Sequence, residues 1–303
     1  MPITADDLAK AQGGVVKKAL TFTSSKEESK YVIEFSIGSG LGSVSSALTS
    51  GPVDRYAGIW RQESGPPWIA RHRMTSEEYQ HEFKKLAGQG FRLSHVSGYN
   101  VAGTVRFAAI WEKSDGPPWV ARHNMTSEHY QDEFGKLAEA GYRLANVSGY
   151  RGLGQDLYAA IWHKNSGSAS VARHRMTPSK YQQEFNTFTA KGFRLTDISG
   201  YGIGNEERYA AIWEKKNGSP WVAKHGMTSA SYQQEFKKLT KDGFRLLNVT
   251  GSNIAGSHKF SAIWEKSAGA PSVARHDMTS DQYQEEFAKL SKQGYRLVTV
   301  CGY

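Results

Sequence analysis

Five histidines, each preceded by a basic residue, are the side chains whose type and spacing could perform chemistry. They recur every 51 residues: Arg71 with His72, Arg122 with His123, Arg173 with His174, Lys224 with His225, and Arg275 with His276. Imidazoles that converge in a folded array could bind a metal or an anion, although a positive neighbour disfavours a cation. Because each histidine lies just before a predicted helix start, we favour a hydrogen bond to the local turn. The pairs remain candidates for ligand binding.

Three tryptophans form a second group of candidate ligand-binding residues. Trp68, Trp119 and Trp221 occupy one position of the repeated pattern, whereas Ser170 and Ser272 occupy it in two other copies. A tryptophan that fills a shared core could not be replaced by serine without leaving a large cavity. The sequence therefore allows an exposed platform that stacks on a ligand, with a half-buried linker residue as the alternative.

Two further features recur on polar surfaces of the pattern. Gln80 and Glu82 are identical in every copy, which is consistent either with a repeated ligand contact or with an ion pair to Arg92 and its equivalents. The hairpin turn at residues 100–105 varies between copies, as binding loops do, and is also a candidate for ligand contact.

Motifs for catalysis are missing from this sequence. It contains no serine elbow, no Ser-x-x-Lys pair and no His-Glu-x-x-His motif. The glycine-rich stretch GSGLGS at residues 38–43 lacks the spacing of a nucleotide loop and is more typical of a hairpin turn. We therefore expect a protein that is not an enzyme and that uses no cofactor or metal.

Composition indicates an ordinary globular protein. Hydrophobic residues make up 39% of the 303 positions, charged residues 22% and aromatic residues 12%, and one cysteine excludes a disulfide framework. The first residues lack the apolar core of a secretory signal and no segment is apolar enough to span a membrane, so the expected location is cytoplasmic. The net charge of +9 leaves room for an acidic partner. Lysines beside glutamates are more typical of a solvated helix face, which makes nucleic acid an unfavoured partner.

The candidate residues belong to one repeated unit, and its local signals predict its elements. An Ile-Trp dipeptide keeps the same interval at Trp60, Trp111, Trp162, Trp213 and Trp264. Thr75 and Glu78 form a capping box, Tyr79, Phe83 and Leu86 make a helical apolar stripe, and Gly90 ends the helix. The segments FRLSHVSGY and RFAAIWEK are rich in branched and aromatic residues and predict a β-hairpin. The unit is therefore predicted to be α-β-β, in an α+β fold of five tandem copies.

The ends of the array predict how it is completed. The units span about 68–113, 119–164, 170–215, 221–266 and 272–303, and residues 53–62 supply an additional second strand. Pairing of the C-terminal strand with residues 53–62 would close a pseudo-five-fold ring and remove exposed sheet edges. The alternative is an open solenoid, with a hairpin from residues 30–48 capping the strand at 53–62. In both cases residues 1–52 are an N-terminal cap or extension and residues 53–303 are the repeat domain.

The motifs Arg-His-x-Met-Thr, Tyr-Gln-x-Glu-Phe, Gly-aromatic-Arg-Leu and Ala-Ala-Ile-Trp follow one another in the first three copies, and in the fourth Lys224 replaces the arginine and Ser261 the first alanine. Through them the chain resembles the bacterial tandem repeat domain family and the N-terminal domain of fungal polyglycine hydrolases, over about residues 53–303. In those hydrolases the resemblance places the β-lactamase-like serine chemistry in a separate C-terminal domain, to which nothing in this sequence corresponds. The resemblance implies the repeat fold and carries over no proteolysis.

Repetition of one surface predicts a multivalent binding protein, because linked weak sites gain avidity. The first hypothesis is lectin-like carbohydrate binding to a glycan or glycoprotein surface, with one weak site per repeat. The second is a protein-interaction scaffold for extended, for example glycine-rich, polypeptides. The third, binding of nucleic acid or another polyanion, rests on net charge alone.

Overall fold

A computed structural model describes residues 54–165 and 167–303, together with two short strands, β1 (Ala19–Phe22) and β2 (Tyr31–Glu34). The chain divides into two compact units, residues 1–51 and 52–303. In the first unit β1 and β2 pair in antiparallel fashion, with Phe22 opposite Tyr31. The predicted turn at GSGLGS and the rest of the predicted N-terminal cap lie outside the described residues.

Five helices of 13 residues each begin where the sequence predicts. Thr75 caps the first helix by accepting from the backbone N of Glu78, whose carboxylate accepts from the backbone N of Thr75. Gly90 follows the helix end at φ +82°, a conformation that favours glycine. The helices are α1 (Ser76–Gly88), α2 (Ser127–Glu139), α3 (Pro178–Ala190), α4 (Ser229–Lys241) and α5 (Ser280–Lys292). None of these described helices has the length and apolar character that a bilayer crossing requires.

The predicted hairpin follows each helix. Its first strands are β5 (Arg92–Val101), β8 (Tyr142–Gly152), β11 (Phe193–Ile203), β14 (Phe244–Ile254) and β17 (Arg296–Gly302). Its second strands are β6 (Thr104–Glu112), β9 (Gln155–Lys164), β12 (Glu206–Lys215), β15 (Ser257–Lys266) and β3 (Tyr56–Arg61). Each first strand contains a bulge; in β5 it lies between Leu93 and His95.

The sequence did not reveal a third strand, so the α-β-β unit is corrected to β-α-β-β. The segment before each helix is a seven-residue strand that pairs with the second strand of the hairpin. These strands are β4 (Trp68–Met74), β7 (Trp119–Met125), β10 (Ser170–Met176), β13 (Trp221–Met227) and β16 (Ser272–Met278). Their polar composition concealed them, because an edge strand pairs through its backbone and buries few side chains.

The predicted pairing of the chain ends is confirmed. Strand β3 lies between β16 and β17, and Cys301 stands opposite Ala57 in the register. Reciprocal backbone hydrogen bonds of 2.9 Å between Arg55 and Tyr303 extend the pairing. Both edges of β3 are thus occupied by strands of the fifth repeat, and most of the alternative hairpin at residues 30–48 lies outside the described residues.

The strands do not merge into a closed barrel. They form five separate three-stranded sheets, and in this respect the arrangement matches the open alternative. Side-chain contacts nevertheless join the first and fifth repeats: the hydroxyls of Tyr56 and Tyr99 lie 2.6 Å apart, and Arg296 Nη2 donates to Glu112 Oε1 over 2.8 Å. Contacts between neighbouring repeats therefore run in a complete cycle.

Aromatic rings fill the core between each helix and its sheet. The five Ile-Trp tryptophans are at most 1% exposed. In the first repeat Tyr79 stacks on Phe107 with centroids 4.9 Å apart, and the same tyrosine meets the edge of His123 in the next repeat at 4.8 Å. A repeat thus completes its core with a ring of its neighbour. Truncating one of these tryptophans to alanine should cost about 3–5 kcal/mol.

Candidate functional site

A three-residue segment in each hairpin's first strand links the repeats around the cycle. The segments are Ser97–Gly98–Tyr99, Ser148–Gly149–Tyr150, Ser199–Gly200–Tyr201, Thr250–Gly251–Ser252 and Cys301–Gly302–Tyr303. The backbone N of each glycine donates to the first side chain of the next segment, for example Gly98 N to Ser148 Oγ over 3.0 Å. The same bond occurs at Gly149, Gly200 and Gly251, and Gly302 closes the series by donating to Ser97 Oγ over 3.1 Å.

Glycine is required in this segment because a tyrosine ring of the next repeat lies directly against it. A Cβ atom on Gly149 would lie 2.3 Å from Tyr201 Cε1, and one on Gly302 would lie 2.4 Å from Tyr99 Cδ1. The tyrosine hydroxyls are held as well: Tyr150 Oη accepts from Asn124 N over 2.8 Å. Asn124 has φ +54°, a left-handed conformation fixed in part by this bond.

One junction departs from this pattern. Ser252 replaces the tyrosine, and a Cβ atom on Gly200 would meet Tyr209 Cε1 at 3.4 Å, an ordinary contact. Glu207 enters this region, with its Oε1 3.4 Å from Ser252 Oγ, and burial raises the pKa of its carboxyl. The cycle therefore has one junction that is chemically unlike the other four.

The segments and the hairpin turns line an open cavity of about 370 Å³. Its wall contains the five glycines and the hydroxyl-bearing residues beside them, and its rim contains Asn100, Arg151, Asn205 and Asn253. Asp54 and Arg151 are the two charged residues in the lining, and they have opposite signs. The cavity is therefore polar and nearly neutral, and every repeat contributes to it.

A belt of buried polar side chains lies at the bulge of each first strand. Asp197 accepts from Asn146 Nδ2 (3.0 Å), Asn248 Nδ2 (2.6 Å) and the backbone N of Val147 (2.8 Å). Burial raises the pKa of Asp197 to about 6. The equivalent His95 has its Nε2 2.9 Å from the carbonyl of Val300, and burial lowers its pKa to about 4. These bonds tie adjacent repeats together below the cavity.

The predicted histidines lie between repeats rather than at local turns. His123 Nε2 is 3.2 Å from Ser76 Oγ at the start of the preceding repeat's helix, and His174 makes the same contact with Ser127 at 2.8 Å. Where Pro178 replaces that serine, His225 Nε2 contacts Gln182 Oε1 at 3.0 Å instead. Burial lowers the pKa of all five histidines, that of His72 to about 4. The five do not converge, and no group of three or more His, Cys, Asp or Glu among the described residues could hold a metal ion.

The basic residue before each histidine pairs with the helix of its own repeat. Arg122 Nε lies 3.0 Å from Glu133 Oε2, and equivalent pairs join Arg71 to Glu82, Arg173 to Glu184, Lys224 to Glu235 and Arg275 to Glu286. The ion pair predicted between the helix glutamates and Arg92 is therefore wrong. Arg92 donates instead to the carbonyl of Pro117, because it stands opposite Glu112, the last residue before the linker to the next repeat.

The burial of the three tryptophans corrects the prediction of an exposed platform. Trp68 is 4% exposed, and its ring meets Phe287 of the fifth repeat edge-on at 5.4 Å. Trp119 and Trp221 are half-buried against Phe83 and Phe185. The guanidinium of Arg92 lies 5.7 Å above Trp119. These rings fill the space between repeats, and serine is tolerated in two copies because the position lies at the margin of the core.

The cavity was not among the sequence-based candidates, although one part of it was: the turn residues from Asn100 to Gly103 form its rim. The signal was present in the recurring Ser-Gly-Tyr segment, whose glycine sits inside a strand with no turn to explain it. Such a glycine indicates close approach of another part of the protein. The role of the basic-histidine pairs in binding stays a prediction.

Comparison with protein families matches this architecture. The family model described as "Polyglycine hydrolase-like, structural repeat" matches residues 65–114, 116–165, 167–216, 218–267 and 269–303. Each complete match contains the strand before the helix, the helix itself and the hairpin that follows it. The family's repeat and the β-α-β-β unit therefore coincide.

Proposed function

Because the chain belongs to the polyglycine hydrolase-like structural repeat family, and its repeats share one cavity, we propose that it is a non-catalytic binding module. The proposed ligand is a neutral, hydroxyl-rich molecule, such as one or two sugar units at the end of a glycan. The observation that supports this proposal is the polar cavity to which every repeat contributes.

The chemistry of the cavity favours such a ligand over a charged one. Its volume of about 370 Å³ falls within the range of small-molecule sites. The wall offers hydroxyl and backbone groups, the rim offers carboxamides, and the two charges in the lining oppose one another. Sugars are recognised by hydrogen bonds to such groups.

This proposal replaces many weak sites with one principal site. The basic-histidine pairs are engaged in ion pairs and in contacts between repeats, so they have fewer free donors for a ligand. Avidity on a dense glycan surface would then require several molecules of the protein, since one cavity takes one ligand.

A glycan array with the purified chain tests the proposal. We expect binding to a subset of short neutral glycans, competed by the free sugar. Asn205→Trp, on the cavity rim, should reduce binding at least ten-fold, because the indole would obstruct the entrance. Leu153→Trp is the matched control, since Leu153 is 94% exposed on another turn and does not line the cavity. Equal binding by both variants, or no bound glycan, would contradict the proposal.

An extended glycine-rich polypeptide is the second candidate. The family's name refers to polyglycine hydrolases, and the cavity wall contains the backbone of five glycines, against which a chain without side chains could pack closely. A soluble oligoglycine peptide that binds wild type but not Asn205→Trp, while no glycan binds, would favour this candidate over the first.

A further inference from the structure

The position after the Ile-Trp tryptophan faces the first-strand arginine in the same sheet; it is a glutamate in three repeats, His163 in the second repeat and Arg61 in strand β3. In the register Glu112 stands opposite Arg92, Glu214 opposite Arg194 and Glu265 opposite Arg245. Opposite charges on facing strands stabilise a sheet, and like charges destabilise it.

The same glutamate also receives an arginine from the preceding repeat. Arg296 Nη2 donates to Glu112 Oε1 over 2.8 Å, and Arg194 Nη2 donates to Glu265 Oε2 over 2.5 Å. Arg194 and Arg296 are buried, with side chains 9% and 6% exposed. A carboxylate between two guanidiniums is thus the charge arrangement of these junctions.

Strand β3 reverses this charge. Arg61 occupies the glutamate position and stands opposite Arg296, another arginine, in the register. Burial lowers the pKa of Arg61, Glu63 raises it, and the positive charge of Arg245 in the preceding repeat lowers it. Arg245 donates to the carbonyls of Ala268 and Ala270, which carry no formal charge.

Among the described residues, no carboxylate forms an ion pair with Arg61 within 4.0 Å, although Glu63 raises its pKa from a greater distance. Its Nε is buried and has no hydrogen-bond partner there, and no ion pair within 4.0 Å involves its guanidinium. Glu63 is exposed and forms no such pair with it. A buried donor without a partner destabilises the folded state, so this junction favours an added acceptor.

We propose that Arg61, together with Arg245 of the preceding repeat, binds a small oxyanion, which takes the place that a glutamate side chain holds in the junctions of Arg296 with Glu112 and of Arg194 with Glu265. A phosphate or carboxylate group fits, because planar guanidinium groups bind both through paired hydrogen bonds. The site lies at the starts of the first strands, whereas the cavity lies at their far ends, and it does not depend on the proposed glycan binding.

Thermal unfolding and equilibrium dialysis of the full chain with inorganic phosphate, at constant ionic strength, test the proposal. Wild type should bind one phosphate per chain, and its Tm should rise by about 3 °C at ten times the dissociation constant. Acetate in place of phosphate tests whether a carboxylate occupies the same site and should protect with the same dependence on Arg61.

Arg61→Glu gives strand β3 the glutamate that three of the other four repeats carry at this position. It should abolish the phosphate effect and raise the Tm without phosphate above that of wild type. Arg61→Gln should also lose binding and ensures a test if the first variant folds poorly. Lys84→Glu changes the net charge equally at an exposed helix position and should keep the phosphate effect. Equal phosphate binding in wild type and both Arg61 variants would overturn the proposal, as would no binding to wild type.

Discussion

Replacing Gly149 with alanine should disrupt one junction of the cycle, whereas replacing Gly200 should not. The two glycines occupy the same strand position in neighbouring repeats. A Cβ atom at Gly149 would lie 2.3 Å from Tyr201 Cε1, but one at Gly200 would lie 3.4 Å from its nearest neighbour, Tyr209 Cε1. Carbon atoms in contact lie about 3.5–4.0 Å apart, so only Gly149→Ala forces a ring to move by about 1 Å.

The Tyr201 ring cannot move without breaking buried hydrogen bonds. Its hydroxyl donates to Asp156 Oδ1 over 2.9 Å and lies 2.7 Å from the hydroxyl of Tyr158. Overpacking costs about 1–3 kcal/mol, and loss of one buried hydrogen bond adds about 1 kcal/mol. We therefore expect Gly149→Ala to lower the free energy of unfolding by about 2–4 kcal/mol. Gly200→Ala should change it by less than about 1 kcal/mol, with a gain possible because alanine restricts the unfolded chain.

Urea unfolding of both variants measures this difference through the midpoint at constant slope. The effect should also depend on the tyrosine: in a Tyr201→Ser background, which copies Ser252, the alanine at position 149 should cost no more than alanine does at position 200. Similar destabilisation by Gly149→Ala and Gly200→Ala, or a full cost of the alanine in the Tyr201→Ser background, would refute the steric explanation.

Two further predictions follow from buried titratable groups. Burial lowers the pKa of His72 and of His95 from 6.5 to about 4. The contribution of each histidine to the free energy of unfolding is therefore fully present above pH 6.5, and about 3 kcal/mol of it is lost as the pH falls from 6.5 to 4. Burial raises the pKa of Asp197 from 3.8 to about 6, so its contribution to the free energy of unfolding increases as the pH falls. Because the two histidines together outweigh Asp197, the urea midpoint at pH 4.5 should be lower than at pH 7. The decrease should be smaller in His95→Asn. Cys301 is buried, and burial raises the pKa of its thiol to about 11. A thiol reagent at pH 8 should therefore label it only as fast as the chain unfolds, as measured by mass spectrometry. Rapid labelling of the native protein would contradict the buried position.

Local signals in the sequence were enough for the helices and hairpins. Thr75 with Glu78, the stripe containing Tyr79, and Gly90 act within a few residues of one another, and each behaves as predicted. The pairing of the C-terminal strand with β3 was also predictable, since the array contains half a unit at each end and the two halves complete one sheet.

The tertiary structure decided which copies of the repeated polar residues contact one another. Ser97 accepts from Gly302, 205 residues away, and His123 contacts a serine of the preceding repeat. In an array of similar units every partner is present in every copy, so residue types and spacing do not distinguish a contact within a unit from one between units. The rotation between neighbouring units makes that choice, and it arises from packing of whole sheets and helices. The sequence by itself determined the number of units and the helix and hairpin of each one. The strand before each helix, the cavity and the buried belt were decided by how the units pack against one another, because they depend on contacts between distant parts of the chain.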